Sequence, residues 1–298
     1  MACIDRVYTG APVTTASLLA FSLLEFAPLG AAPVVTVALL LEARVLGWRD
    51  CSLRRLLECR TRSCRTDLGY FILYASGALP VVSFALSLGG GYLLCRLIEA
   101  KLGMRLLRDA NPALAFGVQF LVGSLVFYIV HWVQHTRFLW EFHKVHHAAE
   151  EMDMVNNFRD HPFTHALRLV FEAVPGALLG VSPGVMLAYV FFTGFLVVCQ
   201  HSNWEWKMPW VERYLFVGAS SHFVHHSVER RHYMTNLGYL VLWERLFGTW
   251  YPGTDVRRIG LGEEGSLHNR DPLFSEMGKV LVAGLRALLR EVTRPAGA

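Results

Sequence analysis

The sequence predicts an all-α integral membrane protein: a helical bundle of about four transmembrane helices or helical hairpins, with a cytosolic helical cap. Two observations favour this fold class. The 298-residue chain is 53% hydrophobic and only 17% charged, whereas a soluble domain carries roughly 25% charged residues. All of its thirteen histidines except His268 lie between His131 and His232. The first observation excludes most soluble and disordered classes, and the second places the candidate chemistry in the histidine-rich cap.

Four apolar stretches are candidates for membrane crossings, because a spanning helix needs about 20 mostly apolar residues. They cover residues 16–46, 68–97, 112–132 and 166–198. The first contains Pro28 and Pro33 and fits either one tilted helix or two short helices. The second is interrupted by Pro80 and by the glycines at 89–91. Proline–glycine pairs interrupt the fourth near its middle, which predicts a hairpin that enters and leaves by the same face.

An arginine-rich loop orients the predicted bundle. Seven arginines lie between Ala43 and Thr66, and the positive-inside rule places such a run on the cytoplasmic face. The run has no interleaved aromatic residues, which disfavours nucleic-acid binding. The three cysteines in it match no zinc module and are expected to be reduced thiols. With this loop in the cytosol, every histidine motif is expected at the cytoplasmic face as well.

The predicted organisation has three parts. Residues 1–126 form an N-terminal transmembrane region with the arginine-rich cytosolic loop. Residues 127–252 form the histidine-rich region, which includes the predicted membrane hairpin. Residues 253–298 form a C-terminal cytosolic tail with an amphipathic segment at 277–292.

Most of the histidines fall into short motifs that follow apolar stretches. The motifs are His131-x3-His135, His143-x2-His146-His147, Asp160-His161-Pro162, Gln200-His201-Ser202-Asn203 and His222-x2-His225-His226. Residues three and four apart share one face of a helix. H-x3-H is therefore expected to present two imidazoles to one point, and H-x2-HH three.

This inventory favours a metal site with two ions. A single buried histidine is more often a packed side chain than a ligand, and His165, His232 and His268 are expected to be such residues. A set of eight or nine imidazoles with no matching carboxylates is different, because it would have to stay buried and neutral or repel on charging. One tetrahedral zinc uses only four ligands, so the set suits two ions better than one.

Nitrogen ligands of this kind suit iron, zinc, copper or nickel. A zinc hydrolase needs a general base such as the Glu of H-E-x-x-H, and neither HWVQH nor HKVHH contains one. A binuclear redox centre is the better fit, since two irons with O2 can oxidise an unactivated C–H bond. The alternative is a non-catalytic membrane metal-binding or metal-transport protein, which the scarcity of acids in the apolar stretches disfavours.

The order H-x3-H, H-x2-HH, H-x2-HH resembles the fatty acid hydroxylase and sterol desaturase superfamily of integral membrane di-iron enzymes. FHKVHHAAEEMD with NNFRDHP, CQHSNW, and HHSVERRHYMTNLGYLVLWERLFGTW are similar to elements of its bacterial members. The resemblance runs from about Phe127 to Pro252.

The resemblance implies a ligand set and several supporting side chains. The implied metal ligands are His131, His135, His143, His146, His147, His222, His225 and His226, with His201 as a ninth. Beside the ligands, His161 is expected to hold a ligand or a helix end, and Asn236 to hydrogen-bond a ligand ring or form a turn. Asn203 and Glu205 are the other implied supporting residues. Glu244 stands where the family usually has Asp and is expected to form a salt bridge with a nearby arginine.

The activity implied is the O2-dependent hydroxylation or desaturation of a lipid, or the cleavage of an ether link. Two iron ions are the expected cofactor, with zinc able to substitute on purification. The chain has no flavin, haem or nicotinamide motif, so electrons are expected from an external ferredoxin, cytochrome or reductase. Cationic side chains at the cytosolic rim are candidates to dock this carrier or to contact lipid headgroups: Arg137, Lys144, Arg159, Arg213, Arg230 and Arg231. The expected location is a bacterial inner membrane, with several crossings.

Overall fold

The computed structural model describes residues 28–87, 89–102, 106–203, 209–253, 255–262 and 268–293. Within these ranges the chain forms α-helices and two short 3-10 helices, and it forms no strand. The first seven α-helices are α1 (Pro28–Leu46), α2 (Ser52–Glu58), α3 (Arg62–Ala75), α4 (Ala78–Leu86), α5 (Gly90–Leu102), α6 (Pro112–Gln134) and α7 (Trp140–His147). The others are α8 (Pro162–Glu172), α9 (Val174–Leu179), α10 (Pro183–Gln200), α11 (Pro209–Tyr214), α12 (Ala219–His225), α13 (Val241–Leu246) and α14 (Leu273–Val292). The 3-10 helices cover Met154–Phe158 and Arg230–His232. The all-α prediction is confirmed for these residues.

Two helices in the described ranges, α6 and α10, are long and apolar enough to cross a membrane. Helices α3 and α4 are long and apolar enough only when taken together, with a bend of 73° between them, so they form either a broken span or a re-entrant loop. The structure therefore contains two candidate spans, or three if this bent pair is one span. It supports a membrane protein, whereas the predicted count of four stays a prediction.

The apolar stretches differ in how well the sequence predicted their breaks. Helix α1 runs through Pro33 without a break, while Pro28 is its first residue. The stretch at 68–97 breaks at Gly77, whose φ of 80° ends α3, and again near Gly89. The stretch at 166–198 breaks at Gly180, whose left-handed conformation ends α9. Only α10 in this last stretch is long enough to span by itself.

Both candidate spans begin with strong local signals. The side chain of Asn111 caps the start of α6 by accepting a hydrogen bond from the backbone N–H of Ala113 at 2.9 Å. Ser182 caps α10 in the same way through Val185. A proline follows each cap, where its missing N–H costs nothing. Each helix then ends at a histidine, His135 for α6 and His201 for α10, so the fold delivers imidazoles at the ends of these helices.

The C-terminal helix α14 lies on α7, which carries the second histidine motif. Glu276, Val280 and Gly284 form its buried face, consistent with the predicted amphipathic character. A Cβ at Gly284 would overlap the ring of Phe142 in α7, so glycine is needed for this close approach. The tail therefore supports the histidine-rich region directly.

Candidate metal centre

Nine imidazoles converge at one point of the fold. They come from the end of α6, from α7, from the end of α10 and from α12 with the residue that follows it. The five-histidine group consists of His131, His135, His143, His147 and His225, and the four-histidine group of His146, His201, His222 and His226. In each group the candidate ligand atoms all lie within 4.8 Å of one another. The structure thus brings together all nine residues that the sequence nominated as ligands.

The two H-x2-HH motifs are divided between the groups, which corrects the expectation that each motif faces one point. His143 and His147, four residues apart, belong to the five-histidine group, whereas His146 belongs to the other. In α12 the assignment is reversed: residues 222 and 226 face the four-histidine group and His225 the five-histidine group. Adjacent residues diverge by about 100° around a helix, so neighbouring histidines face different centres.

Hydrogen bonds at the outer ring nitrogens fix the direction of three imidazoles. Nδ1 of His131 donates to the carbonyl of Leu237 at 2.6 Å, and Nδ1 of His225 donates to that of Thr235 at 2.7 Å. His201 donates to Val197 at 2.7 Å in the same way. Because a carbonyl can only accept, the proton sits on Nδ1 and the Nε2 lone pair points into the group. A hydrogen bond of this type is the usual support of a metal-bound histidine.

The spacing of the inner nitrogens also fits a bound ion. Nε2 of His222 lies 3.2 Å from Nε2 of both His201 and His226. In the other group, Nε2 of His135 lies 3.2 Å from Nε2 of His147 and of His225. Metal–nitrogen bonds of about 2.1 Å at angles between square and tetrahedral separate two ligands by roughly 3.0–3.4 Å. The donor set therefore fits one metal ion in each group.

Burial keeps these imidazoles in the form that binds metal. Burial holds the pKa of His146, His147 and His226 well below the ordinary value. For His201, burial followed by the positive charge of Arg168 lowers the pKa to about 4. Only a neutral imidazole has a free lone pair for a metal, so the site is ready to bind at neutral pH.

A buried carboxylate supports His131 through one peptide group. The Leu237 carbonyl accepts from His131, and the N–H of the same peptide group, on Gly238, donates to Oε1 of Glu244 at 2.5 Å. Glu244 also accepts a hydrogen bond from Thr249. The predicted salt bridge to an arginine is wrong for the described residues. Glu244 instead accepts hydrogen bonds from a backbone N–H and a threonine hydroxyl. Burial raises its pKa to about 7.

The other predicted supporting residues form hydrogen bonds with backbone groups rather than with ligand rings. His161 caps α8, with Nδ1 accepting from Phe163 N–H and Nε2 donating to the Met277 carbonyl in α14. Asn236 has a φ of 52° and bonds the backbone of Ser221 and Tyr251. It therefore braces the residue before His222 and makes no bond to a described ligand ring.

Asn203 ties the end of α10 to the N-terminal helices. Its backbone N–H donates to Glu42 at 2.9 Å, and its side chain contacts Asp50. Glu205 lies outside the described residues. His165, His232 and His268 lie outside both histidine groups, as expected.

Arg159 is a buried hub beside the second histidine motif. Its Nε donates to the carbonyl of Val145 at 2.7 Å, and its other nitrogens bond Asp67 at 2.7 Å and Asn269 at 2.8 Å. Its side chain is 0% exposed, so its nomination as a docking residue for an electron carrier is wrong. The partners are distant in sequence, which is why no local pattern indicated them.

A cavity of about 250 Å³ lies beside the two groups. Five of the nine candidate ligands line it, two from one group and three from the other: His131, His143, His146, His201 and His222. Leu187 and Phe191 of α10 also line the cavity, and they are 40% and 39% exposed on this candidate span. The cavity thus connects both groups with the apolar surface of the protein.

Two aromatic residues that the sequence did not nominate cover the five-histidine group beside His135 and His147, which do not line the cavity. The ring centroid of Trp140 lies 5.2 Å from that of His135 and 5.3 Å from that of His147. Tyr233 lies 5.4 Å from Trp140 and 5.5 Å from His135, and its hydroxyl donates to the carbonyl of His135. Since Tyr233 is 46% exposed, it links the group to the surface.

The described residues define a class, an all-helical protein with candidate membrane spans and two adjacent histidine groups that could each hold a metal ion. Residues 116–249 match the family model described as fatty acid hydroxylase, and all nine nominated ligands lie in this segment. This match confirms the resemblance found in the sequence, and it covers less than half of the chain.

Individual relatives show two kinds of lipid chemistry. An ornithine lipid hydroxylase of Rhizobium tropici is 25% identical over 217 residues, which cover 65% of this chain and 65% of that protein. A very-long-chain aldehyde decarbonylase of Oryza sativa subsp. indica is 27% identical over 188 residues, or 56% of this chain and 71% of that protein. The matched part of this chain thus spans slightly less than two thirds of the hydroxylase, 65%, and 71% of the decarbonylase. No solved structure matches the chain at a significant level.

Proposed function

We propose that the protein is a membrane-bound non-haem di-iron oxygenase that hydroxylates, or desaturates, a C–H bond of a lipid with O2 and two external electrons. One observation carries the proposal: nine buried imidazoles form two adjacent groups, and five of them line a cavity that reaches a candidate membrane span. The match to the fatty acid hydroxylase family model and the lipid hydroxylase relative support it.

The two histidine groups are the proposed iron ligands. His131, His135, His143, His147 and His225 would hold one ion, and His146, His201, His222 and His226 the other. Zinc can occupy the same nitrogen sites on purification, since imidazole suits both metals. When bound, the irons supply O2 activation, which the protein's side chains cannot provide. The chain itself orients the rings through backbone carbonyls and keeps the centre buried.

The lipid is proposed to reach the centre from the bilayer. Leu187 and Phe191 border the cavity and are partly exposed on α10, where acyl chains would surround the helix. Histidines of both groups face this cavity, so a substrate bond held there lies next to both ions. Which lipid enters, and whether a hydroxyl, a double bond or a cleaved ether results, depends on how the cavity holds it.

Electrons are proposed to come from an external ferredoxin, cytochrome or reductase that docks near Tyr233. Trp140 and Tyr233 provide a chain of ring contacts from the surface to His135. Arg230 precedes Tyr233 by three residues and is exposed, which suits an acidic carrier, whereas the charge of Arg231 is already paired with Glu229 and Asp255. The carrier and the lipid would then approach the centre from different sides.

The protein is proposed to lie in a bacterial inner membrane with several crossings and its histidine site on the cytoplasmic face. The arginine-rich loop around α2 supports this orientation through the positive-inside rule. Reporter fusions after α1 and at the C-terminus test it, because both are expected to report a cytoplasmic location. A periplasmic signal at either position contradicts the orientation.

The decisive experiment combines metal content with lipid analysis. The purified protein should contain about two iron ions per chain, as nine ligands imply. A host expressing it should gain lipids shifted by about +16 or −2 mass units, as oxygen insertion or dehydrogenation requires, and only with O2. His146→Ala should abolish the shift and lower the iron content, whereas His232→Asn, outside both groups, should do neither. Reversible metal exchange with no O2-dependent product would instead indicate a metal-binding or metal-transport protein.

A further inference from the structure

The cavity beside the histidine groups has two chemically different walls. Helix α8 contributes His165, Arg168, Leu169 and Glu172, whose spacing of three, four and seven residues places them on one helix face. Helix α10 contributes mainly apolar side chains, namely Leu187, Val190, Phe191, Val197 and Val198, along with Thr193 and Gly194. A purely hydrocarbon substrate has no group that could interact favourably with the charged side chains of α8, so their presence in the cavity wall needs an explanation.

The charges on the α8 wall do not cancel. A nitrogen of Arg168 lies 2.7 Å from Oδ2 of Asp160, which also lines the cavity. These two side chains form a neutral pair, and Thr164 donates a second hydrogen bond to Asp160. Glu172 adds a further carboxylate and has no ion pair within 4 Å among the described side chains. Burial raises the pKa of Glu172, so its ionised form, which leaves two acids against one base, needs a cation beside it.

Such an excess charge is expensive beside an apolar cavity. An ionised group away from water costs several kcal/mol unless a partner compensates it, and charged residues at membrane depth commonly mark functional sites. The Asp160–Arg168 pair alone would satisfy a structural role. Glu172 lies one helical turn beyond Arg168 and faces the same cavity, so its natural partner is a cation that enters with the ligand.

We propose that the α8 wall binds the polar head of the lipid substrate, and that this head is a zwitterion with an ammonium group and an acidic oxygen. The inference rests on the proposed function, because it names the substrate class of the same site. Glu172 accepts hydrogen bonds from the ammonium group. Arg168 donates its remaining N–H groups to the carboxylate or phosphate, and the lipid chain lies against α10.

Cavity size and position then limit where the lipid is oxidised. The volume of about 250 Å³ is below the 300–1,000 Å³ typical of pockets for drug-sized ligands, so it holds a head and a short length of chain. Arg168 and Glu172 line the same cavity as five of the candidate ligands, so the α8 wall is close to the histidines. C–H bonds in the head or next to it therefore face the metal centre.

Binding of short-chain lipids to the metal-free, full-length protein in detergent micelles tests the inference by calorimetry. Two probes are zwitterions: dihexanoyl phosphatidylethanolamine, with a phosphate, and Nα-octanoyl ornithine, with a carboxylate. Two controls lack the ammonium group: dihexanoyl phosphatidylglycerol and uncharged dihexanoylglycerol. At least one zwitterion should bind roughly tenfold to hundredfold more tightly than both controls, as expected for a charge-assisted hydrogen bond. The tighter zwitterion identifies the acidic group that Arg168 prefers.

Substitutions assign the preference to the α8 wall. Glu172→Gln keeps the shape and should reduce zwitterion binding to the level of phosphatidylglycerol, whereas Glu58→Gln, on the surface helix α2, should leave it unchanged. The double variant Asp160→Asn/Arg168→Met removes the pair without leaving a lone charge, and should weaken both zwitterions. Thermal melting of each variant identifies loss of folding.

The outcomes separate this inference from the proposed function. Equal affinities for all four probes, or an unchanged preference in a folded Glu172→Gln variant, would overturn the headgroup site. Binding is measured without iron or O2, so a protein that selects zwitterions but oxidises no lipid would overturn only the oxygenase proposal.

Discussion

Replacing Arg159 by methionine should destabilise the protein and disturb the second histidine motif. The guanidinium is fully buried and bonds Asp67, Asn269 and the carbonyl of Val145. Methionine fills much of the same space but makes none of these bonds. Val145 lies between the ligand candidates of α7, so the same change should loosen their placement.

The magnitude follows from the partners left behind. Asp67 is 0% exposed, and removing one partner of a buried ion pair costs about 3–5 kcal/mol because the other charge stays uncompensated. Adding Asp67→Asn to Arg159→Met removes that charge and should recover about 1–3 kcal/mol. Arg54→Met is the matched control, since its exposed pair with Glu58 is worth about 0.3–0.5 kcal/mol.

Chemical denaturation in detergent micelles, followed by tryptophan fluorescence, measures these free energies of unfolding, and iron content is measured on the same samples. Arg159→Met should show both the loss of stability and a reduced iron content. The reasoning fails if Arg159→Met costs no more than Arg54→Met, or if Asp67→Asn deepens the loss instead of relieving it.

Three other substitutions test separate parts of the structure. Glu244→Ala should weaken iron binding about 10–100-fold in a chelator competition, while Glu244→Gln, which can still accept from Gly238, should lose less; equal losses would contradict the peptide link to His131. Gly284→Ala should lower the melting temperature by overlapping Phe142, whereas Gly278→Ala, with open space around it, should not; similar melting temperatures would refute the close approach. Tyr233→Leu should slow reduction by a protein carrier but not by dithionite in stopped-flow absorbance, and equal slowing would exclude a role in carrier docking.

The sequence predicted well which histidines form the candidate metal centre, because their spacing is a local property of the chain. Spacings of three and four residues, placed where apolar helices end, identified eight of the nine imidazoles that converge, and His201 was identified by its place after an apolar stretch and by the resemblance. The same locality explains the success for α6, whose apolar run and Asn–Pro start need no tertiary contact. Helix α1 shows the limit, since it runs through Pro33, where the sequence offered a break as one of two alternatives.

The division of the imidazoles between two centres could not be read from the motifs. Local spacing places His143 and His147 on one face of α7, but which group they join depends on how α7 and α12 are oriented against each other. The Arg159 network has the same origin, because its partners lie 92 and 110 residues away. Glu172 could be predicted only in part. The sequence shows an acid in an apolar stretch, but not its position in a cavity beside Arg168.

The crossed assignment of the histidine motifs explains how one substrate can face both centres. His143 and His146 lie on the same short helix, line the same cavity and belong to different groups. If all histidines of one motif bound the same ion, α7 would contribute ligand candidates of only one ion to the cavity wall. Because each motif contributes to both, the cavity wall contains ligand candidates of both ions, and His135 and His147 are left to contact Trp140 on another side. The sharing of motifs therefore gives the proposed centre one side for the lipid and another for the electron carrier.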